Sequence, residues 1–296
     1  MTLSPEAKAL ELQFQRDNDG LGPDDILQQR LNTEKMVEMT GIPSDVRFDP
    51  QVIAGIPSIV ANPPDKQADY DIVFLHGGGF CVGSAHSHHR FAGHFAAACK
   101  ASVVIPNYGL APEHPFPTAV DQCVAVMLDV IERHNEGRTV IVGDSAGGGL
   151  ALSACMKLRD MKEKLPLAAV LLAPWLDLSL SSPSVQTVAA RDVVVSEERL
   201  AIRANHYLAG VDDKDPIASP LHGSLAGLPP IYVQASENDI LRDDGHRLSD
   251  KAATQGADVR FELVPGMFHD FQFFAGNLPE ADAAIARCCM FLESVI

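Results

Sequence analysis

Short runs of aliphatic, mostly β-branched residues alternate with longer helical patterns through most of the chain, and no other feature constrains the fold as tightly. Ile72-Val73-Phe74-Leu75 and Val103-Val104-Ile105 read as buried strands, followed by a helix-like stretch from about Thr118 to His134. Thr139-Val140-Ile141-Val142 then leads through a Gly-rich turn into another helix. Ala169-Val170-Leu171-Leu172, Ile231-Tyr232-Val233-Gln234, a helical 244–255, Val259-Arg260-Phe261-Glu262-Leu263 and a C-terminal helix complete the series. Apolar strands separated by crossover helices predict an α/β fold with a mostly parallel central sheet flanked by helices on both faces.

Two segments break the alternation, and both read as helical. In residues 1–45, Ala7, Leu10 and Phe14 share one helical face after Pro5, and Pro23-Asp24-Asp25 is a second start signal. In residues 179–225 the clearest helix opens at Ser196, with Glu197 and Glu198 in its first turn and Leu200, Ala204, Tyr207 and Leu208 on one face. The expectation is one α/β core, 46–178 and 226–296, with helical material standing above it.

Composition closes off several functions. The first twenty residues carry Glu6, Lys8, Glu11, Arg16, Asp17 and Asp19 where a signal peptide needs an apolar core, and no apolar run is of membrane-spanning length. A soluble, unexported, cytoplasmic protein is expected. With 23 basic against 39 acidic side chains the formal net charge is −16, which repels phosphate backbones and anionic lipid, so neither nucleic acid nor membrane is an expected partner. Cys81, Cys99, Cys123, Cys155, Cys288 and Cys289 contain no C-x-x-C and are expected to be reduced, buried thiols.

Gly143-Asp144-Ser145-Ala146-Gly147 is the only G-x-S-x-G, and it falls where the period switches from strand to helix. There a serine hydroxyl is exposed at the sheet's carboxyl edge on a strained turn; the alternative is a mere tight turn. His76-Gly77-Gly78-Gly79-Phe80 directly follows the strand Ile72 to Leu75. Bare glycine N–H groups in that position can approach a ligand oxygen, whereas a phosphate-binding loop would need G-K-[ST] and a helix start. A serine nucleophile needs a base and the base an orienting carboxylate, in the order Ser, acid, His. Asp239, after the strand 231–234, and His269, after the strand 259–263, meet both needs at strand carboxyl ends. Asp243 and Asp244 read as the first turn of the following helix; Asp270, next to His269, is the stronger rival to Asp239. His86, His88, His89 and His94 lack a second ligand pair at zinc-like spacing, so no metal and no cofactor is expected.

Taken together, H-G-G-G-F at 76–80, Tyr108 to Pro117, G-D-S-A-G-G at 143–148, D-x-L at 239–241 and the loop around His269 resemble the hormone-sensitive-lipase-like (bacterial family IV) carboxylesterases of the α/β-hydrolase superfamily. The resemblance covers nearly the whole chain. It implies Ser145 as nucleophile, His269 as base, Asp239 as orienting acid, the N–H groups of Gly78, Gly79 and Ala146 as oxyanion hole, and a helical cap made from 1–45 and 179–225. It further implies short- to medium-chain esters as substrates and a homodimer through the strand 259–263 and the last helix. Phe80, Trp175 and Phe268 are candidate acyl-pocket residues. The chain departs from the family pattern at Gly109 (usually Arg), Gly149 (Asn), Ile240 (Pro) and Asp270 (Gly). The same chemistry on a lactone is the first alternative. A ligand-binding relative is the second, since plant hormone receptors of this kind lack the histidine that stands here at 269.

Overall fold

The computed structural model describes residues 3–17, 25–133 and 138–296. Among the described residues the chain forms one eight-stranded sheet. The first hairpin pairs β1 (Arg47–Ile53) with β2 (Ile56–Asn62) antiparallel, and β2 in turn pairs antiparallel with β4 (Val103–Pro106). From β4 across the sheet the pairing is parallel through β3 (Asp71–Leu75), β5 (Thr139–Asp144), β6 (Ala169–Leu172), β7 (Ile231–Asn238) and β8 (Val259–Phe268). This is the mostly parallel sheet expected from the alternation.

Successive strand residues point to opposite faces, and the two faces bury separate cores. Val73, Leu75, Ile141 and Val233 pack with α4 (Thr118–Arg133), α5 (Ala146–Met161) and α8 (Arg242–Gln255). Ile72, Phe74, Val140 and Val142 pack on the other side with α3 (Ala85–Cys99) and α9 (Pro279–Val295). Phe74 is fully buried there, its ring 5.1 Å from that of Phe91 and 5.7 Å from that of Phe95. Truncating such a side chain costs about 3–5 kcal/mol, because the cavity adds to the lost transfer energy.

Above the carboxyl edge of the sheet stand α1 (Pro5–Asp17), α2 (Ile26–Lys35) and, between β6 and β7, the short α6 (Ser184–Thr187) and α7 (Glu197–Leu208). The Asp25 carboxylate caps α2 by accepting from the Gln28 N–H at 3.0 Å, while Pro23 and Asp24 of that start signal, and His134 at the end of the α4 reading, lie outside the described residues. Ser196 caps α7 as its sequence position suggested. No helix among the described residues is long and apolar enough to cross a membrane.

Two readings of the sequence are corrected. The β1–β2 hairpin was not anticipated; Pro50 lies within its first strand, and its turn is Ala54-Gly55, both with positive φ (49° and 79°). The cysteines are not all free. Cys99 at the end of α3 is bonded to Cys289 in α9, with Cα atoms 5.5 Å apart across 190 residues of sequence. Helix packing brings those two positions together, which spacing along the chain does not reveal. Cys81, Cys123, Cys155 and Cys288 are buried free thiols.

Candidate active site

The chain leaves β5 at Asp144 and enters α5 at Ala146, so Ser145 occupies the single residue between strand and helix. Its backbone sits at φ 52° and ψ −119°, a sparsely populated region that costs on the order of 1–3 kcal/mol and persists only where the surroundings hold it. They do: the Ser145 N–H donates to the Leu172 carbonyl at 2.8 Å, and the Ser145 carbonyl accepts from the N–H of Trp175 at 3.0 Å and of Gly149 at 3.2 Å. Gly147 is required by close approach, since a Cβ there would stand 2.0 Å from the Leu75 carbonyl oxygen.

Two neighbouring strands deliver the partners. β8 ends at Phe268, and His269 follows it; β7 ends at Asn238, and Asp239 follows that. His269 Nε2 lies 3.0 Å from Ser145 Oγ, and its Nδ1 lies 2.8 Å from Asp239 Oδ2. A carboxylate can only accept from Nδ1–H, which fixes the tautomer and leaves Nε2 to accept from the hydroxyl. Asp239 is fully buried, and its Oδ1 accepts from the Leu241 N–H at 2.8 Å. Burial disfavours the imidazolium, but the Asp239 carboxylate, with Asp192 beyond it, overrides burial and raises the His269 pKa above the usual histidine value.

Asp192 was not singled out in the sequence. It accepts from the N–H groups of Ile240 (2.8 Å), Val194 (2.9 Å) and Val195 (2.8 Å), and burial followed by the nearby Asp239 pushes its carboxyl up to about 6. It belongs to no short motif and lies far from Asp239 along the chain, so only the fold brings it here.

The loop after β3 brings Gly78 and Gly79 to the cavity that holds Ser145 and His269. Gly78 has φ 110°, and a Cβ on it would meet the Val82 carbonyl oxygen at 2.1 Å; the loop therefore needs glycine to fold back at all. Ala146 opens α5, so its N–H has no carbonyl one turn behind it. The cavity encloses about 370 Å³. Phe14 of α1, Asn32 of α2, Met36, Met39, the run Val193 to Val195, and Arg199, Leu200 and Arg203 of α7 complete its wall.

The three proposed pocket aromatics do not line this cavity. Phe80 and Trp175 are 2% and 1% exposed in the core beneath α7, where the Phe80 ring stacks on Tyr207 at 3.9 Å. The left-handed backbone of Phe80 (φ 63°) turns the ring there and away from the loop's pocket face. Phe268 sits one layer back, edge-on to Phe14 at 5.6 Å and Phe274 at 5.7 Å, and those two rings rather than its own reach the cavity. The wall comes from the helical segments, whose amphipathic patterns do not distinguish a pocket face from a core face.

The rival acids have other positions. Asp243 and Asp244 form the first turn of α8, as expected, and Asp244 also accepts from the N–H of Leu176 at 2.8 Å and of Asp177 at 3.0 Å. Asp270 lines the cavity, with Oδ2 3.9 Å from His269 Nε2, beyond hydrogen-bond range and on the opposite ring nitrogen from Asp239. His88 faces Asp144 and His94 binds the Gly41 carbonyl; no group of three potential ligands suited to a metal ion occurs among the described residues.

A family model described as alpha/beta hydrolase fold matches residues 72–273. The chain is 39% identical to an acetyl-hydrolase of Streptomyces hygroscopicus over 232 residues, 78% of each protein, and 36% identical to an esterase of Acinetobacter venetianus over 76% of this chain and 75% of that one. The crystal structure of an esterase from the bacterial hormone-sensitive lipase family superposes over 100% of both chains with a TM-score of 0.95 at 34% identity.

Proposed function

Because the chain belongs to the α/β-hydrolase fold family, among the esterases of the bacterial hormone-sensitive lipase group, and acts on ester bonds, we propose that it is a serine carboxylesterase working through an acyl-enzyme on Ser145. The observation that carries this reading is the unbroken relay from Asp239 through His269 to Ser145, at 2.8 and 3.0 Å. His269 takes the Ser145 proton as Oγ attacks the ester carbonyl, and the imidazolium that forms is held by Asp239. The oxyanion faces the N–H groups of Gly78, Gly79 and Ala146, and each such donor is worth about 10²–10³ in turnover. His269 returns its proton to the departing alcohol, and water then repeats the sequence on the acyl group.

Short- to medium-chain acyl groups are the proposed substrates, in a cavity of about 370 Å³ closed by the helical segments. Residues 1–45 and 179–225 act as its cap in this reading, and two copies associate through β8 and α9. Hydrolysis of p-nitrophenyl esters from acetate to decanoate by the wild type and by Ser145→Ala tests it. A short-chain optimum that disappears in Ser145→Ala is the expected result. Failure of the folded wild type to cleave any of them overturns it and moves the lactone reading forward.

A further inference from the structure

Asp270 is the pocket carboxyl that the relay leaves unused. Its left-handed backbone (φ 58°) sends its side chain into the same cavity as the His269 ring, where it is 17% exposed. Its Oδ2 is 3.9 Å from His269 Nε2, the nitrogen that faces Ser145 Oγ. Its Oδ1 is buried with no donor, and so are both oxygens of Asp144, apart from His88 Nε2 at 3.5 Å. Asp144 and Asp270 line the same cavity and are close enough to interact, and two buried carboxyl groups in proximity favour holding one proton between them. Burial and the adjacent Asp144 accordingly hold Asp270 well above the ordinary carboxylate range. With that proton directed at Asp144, the other Asp270 oxygen meets the pocket as an acceptor only.

A gap of 3.9 Å is too long for a direct hydrogen bond, but one water about 2.8 Å from each group spans it. We propose that Asp270 is a positioning residue for the deacylating water, which donates one O–H to His269 Nε2 and the other to Asp270. The proposal rests on the acyl-enzyme reading above. Once Ser145 Oγ is esterified it no longer donates to Nε2, and that nitrogen turns to the water. The water oxygen then bonds to the acyl carbon as its first proton moves to Nε2. The bond from acyl carbon to Ser145 Oγ breaks, and the Nε2 proton passes to Oγ. The released carboxylic acid keeps the hydrogen that pointed at Asp270.

Methanol has a single O–H and spends it on Nε2, so it gains nothing from Asp270. The geometry therefore favours water over an alcohol as acyl acceptor. Partition of the butyryl group is the test: with p-nitrophenyl butyrate and added methanol, butyric acid and methyl butyrate are quantified for wild type, Asp270→Ala and Asp270→Asn. Their ratio is set after p-nitrophenol has left, so it does not depend on how fast the acyl-enzyme forms. Loss of one hydrogen bond corresponds to about a tenfold shift toward methyl butyrate in Asp270→Ala. Asp270→Asn, whose amide donates toward Asp144 while its carbonyl accepts from water, keeps a ratio close to wild type. An unchanged ratio in Asp270→Ala, or an equal shift in both variants, overturns the proposal. If the wild type forms neither product above the Ser145→Ala background, it is the acyl-enzyme reading that fails.

Discussion

At the scale of single residues the relay carries an electrostatic cost that should be visible in the rate. In the proposed mechanism His269 acts as a base only when neutral, and the carboxylates of Asp239 and Asp192 both favour its charged form. The acid limb of kcat/KM is therefore expected above the ordinary histidine value of about 6.5, with activity rising as pH passes the raised pKa. Asp192→Asn removes one of those charges while its single amide oxygen still accepts from the N–H groups of Val194 and Val195. It should move the limb toward lower pH by on the order of one unit. A pH profile with the limb unmoved would show that Asp192 does not act on the imidazole. Asp239→Asn should behave differently, lowering kcat by about 10⁴ because the amide favours the wrong imidazole tautomer. That Ser145, Asp239 and His269 come together was legible because each directly follows a strand of the parallel sheet. Asp192 was not, because its position is fixed by three backbone donors brought together by the fold.

At the scale of elements, the strands of the parallel core were legible because burial on both faces makes them continuous apolar runs. The β1–β2 hairpin escaped because its first strand, Arg47 to Ile53, is largely exposed and carries Pro50, so it has neither an apolar run nor clean alternation. The pocket wall escaped for a related reason: Phe14, Asn32 and Arg203 sit on helices whose patterns record burial and not what buries them. Helix pairing was equally hidden, and with it the Cys99–Cys289 bond that ties α3 to α9. Closing a loop of 190 residues restricts the unfolded chain by about 5 kcal/mol in the loop-entropy account. For a chain of this size that corresponds to a melting temperature lower by about 10 °C once the bond is reduced. Thermal unfolding with and without dithiothreitol, for wild type and for Cys99→Ser, is the measurement. The reductant should destabilise the wild type and leave Cys99→Ser unchanged, and equal curves for all four samples would show that the bond contributes nothing.

At the scale of the whole molecule, stability against acid depends on buried groups that titrate in opposing directions. His76 is fully buried, with its ring stacked on Tyr108 at 4.1 Å and Nε2 lacking a partner. Burial, reinforced by His88, lowers its pKa to about 3. Between that value and the unfolded value of about 6.5 the unfolded chain binds the extra proton, so this group makes stability rise with pH and removes a few kcal/mol on acidification. Asp244, raised by burial to about 7, and Asp192, raised to about 6, work the other way. Each binds its proton more tightly in the native state, so stability falls as pH rises from about 4 to their folded values. The wild-type curve alone mixes these contributions, whereas the difference between wild type and His76→Asn isolates the histidine. Urea unfolding at pH 4 and pH 7 should show wild type losing more stability on acidification than His76→Asn does. Parallel losses would mean that His76 is charged before the fold opens, and the acid sensitivity would then have to come from the carboxylates held low in the native state, such as Asp177 with its bonds to Ser179, Ser181 and Arg247.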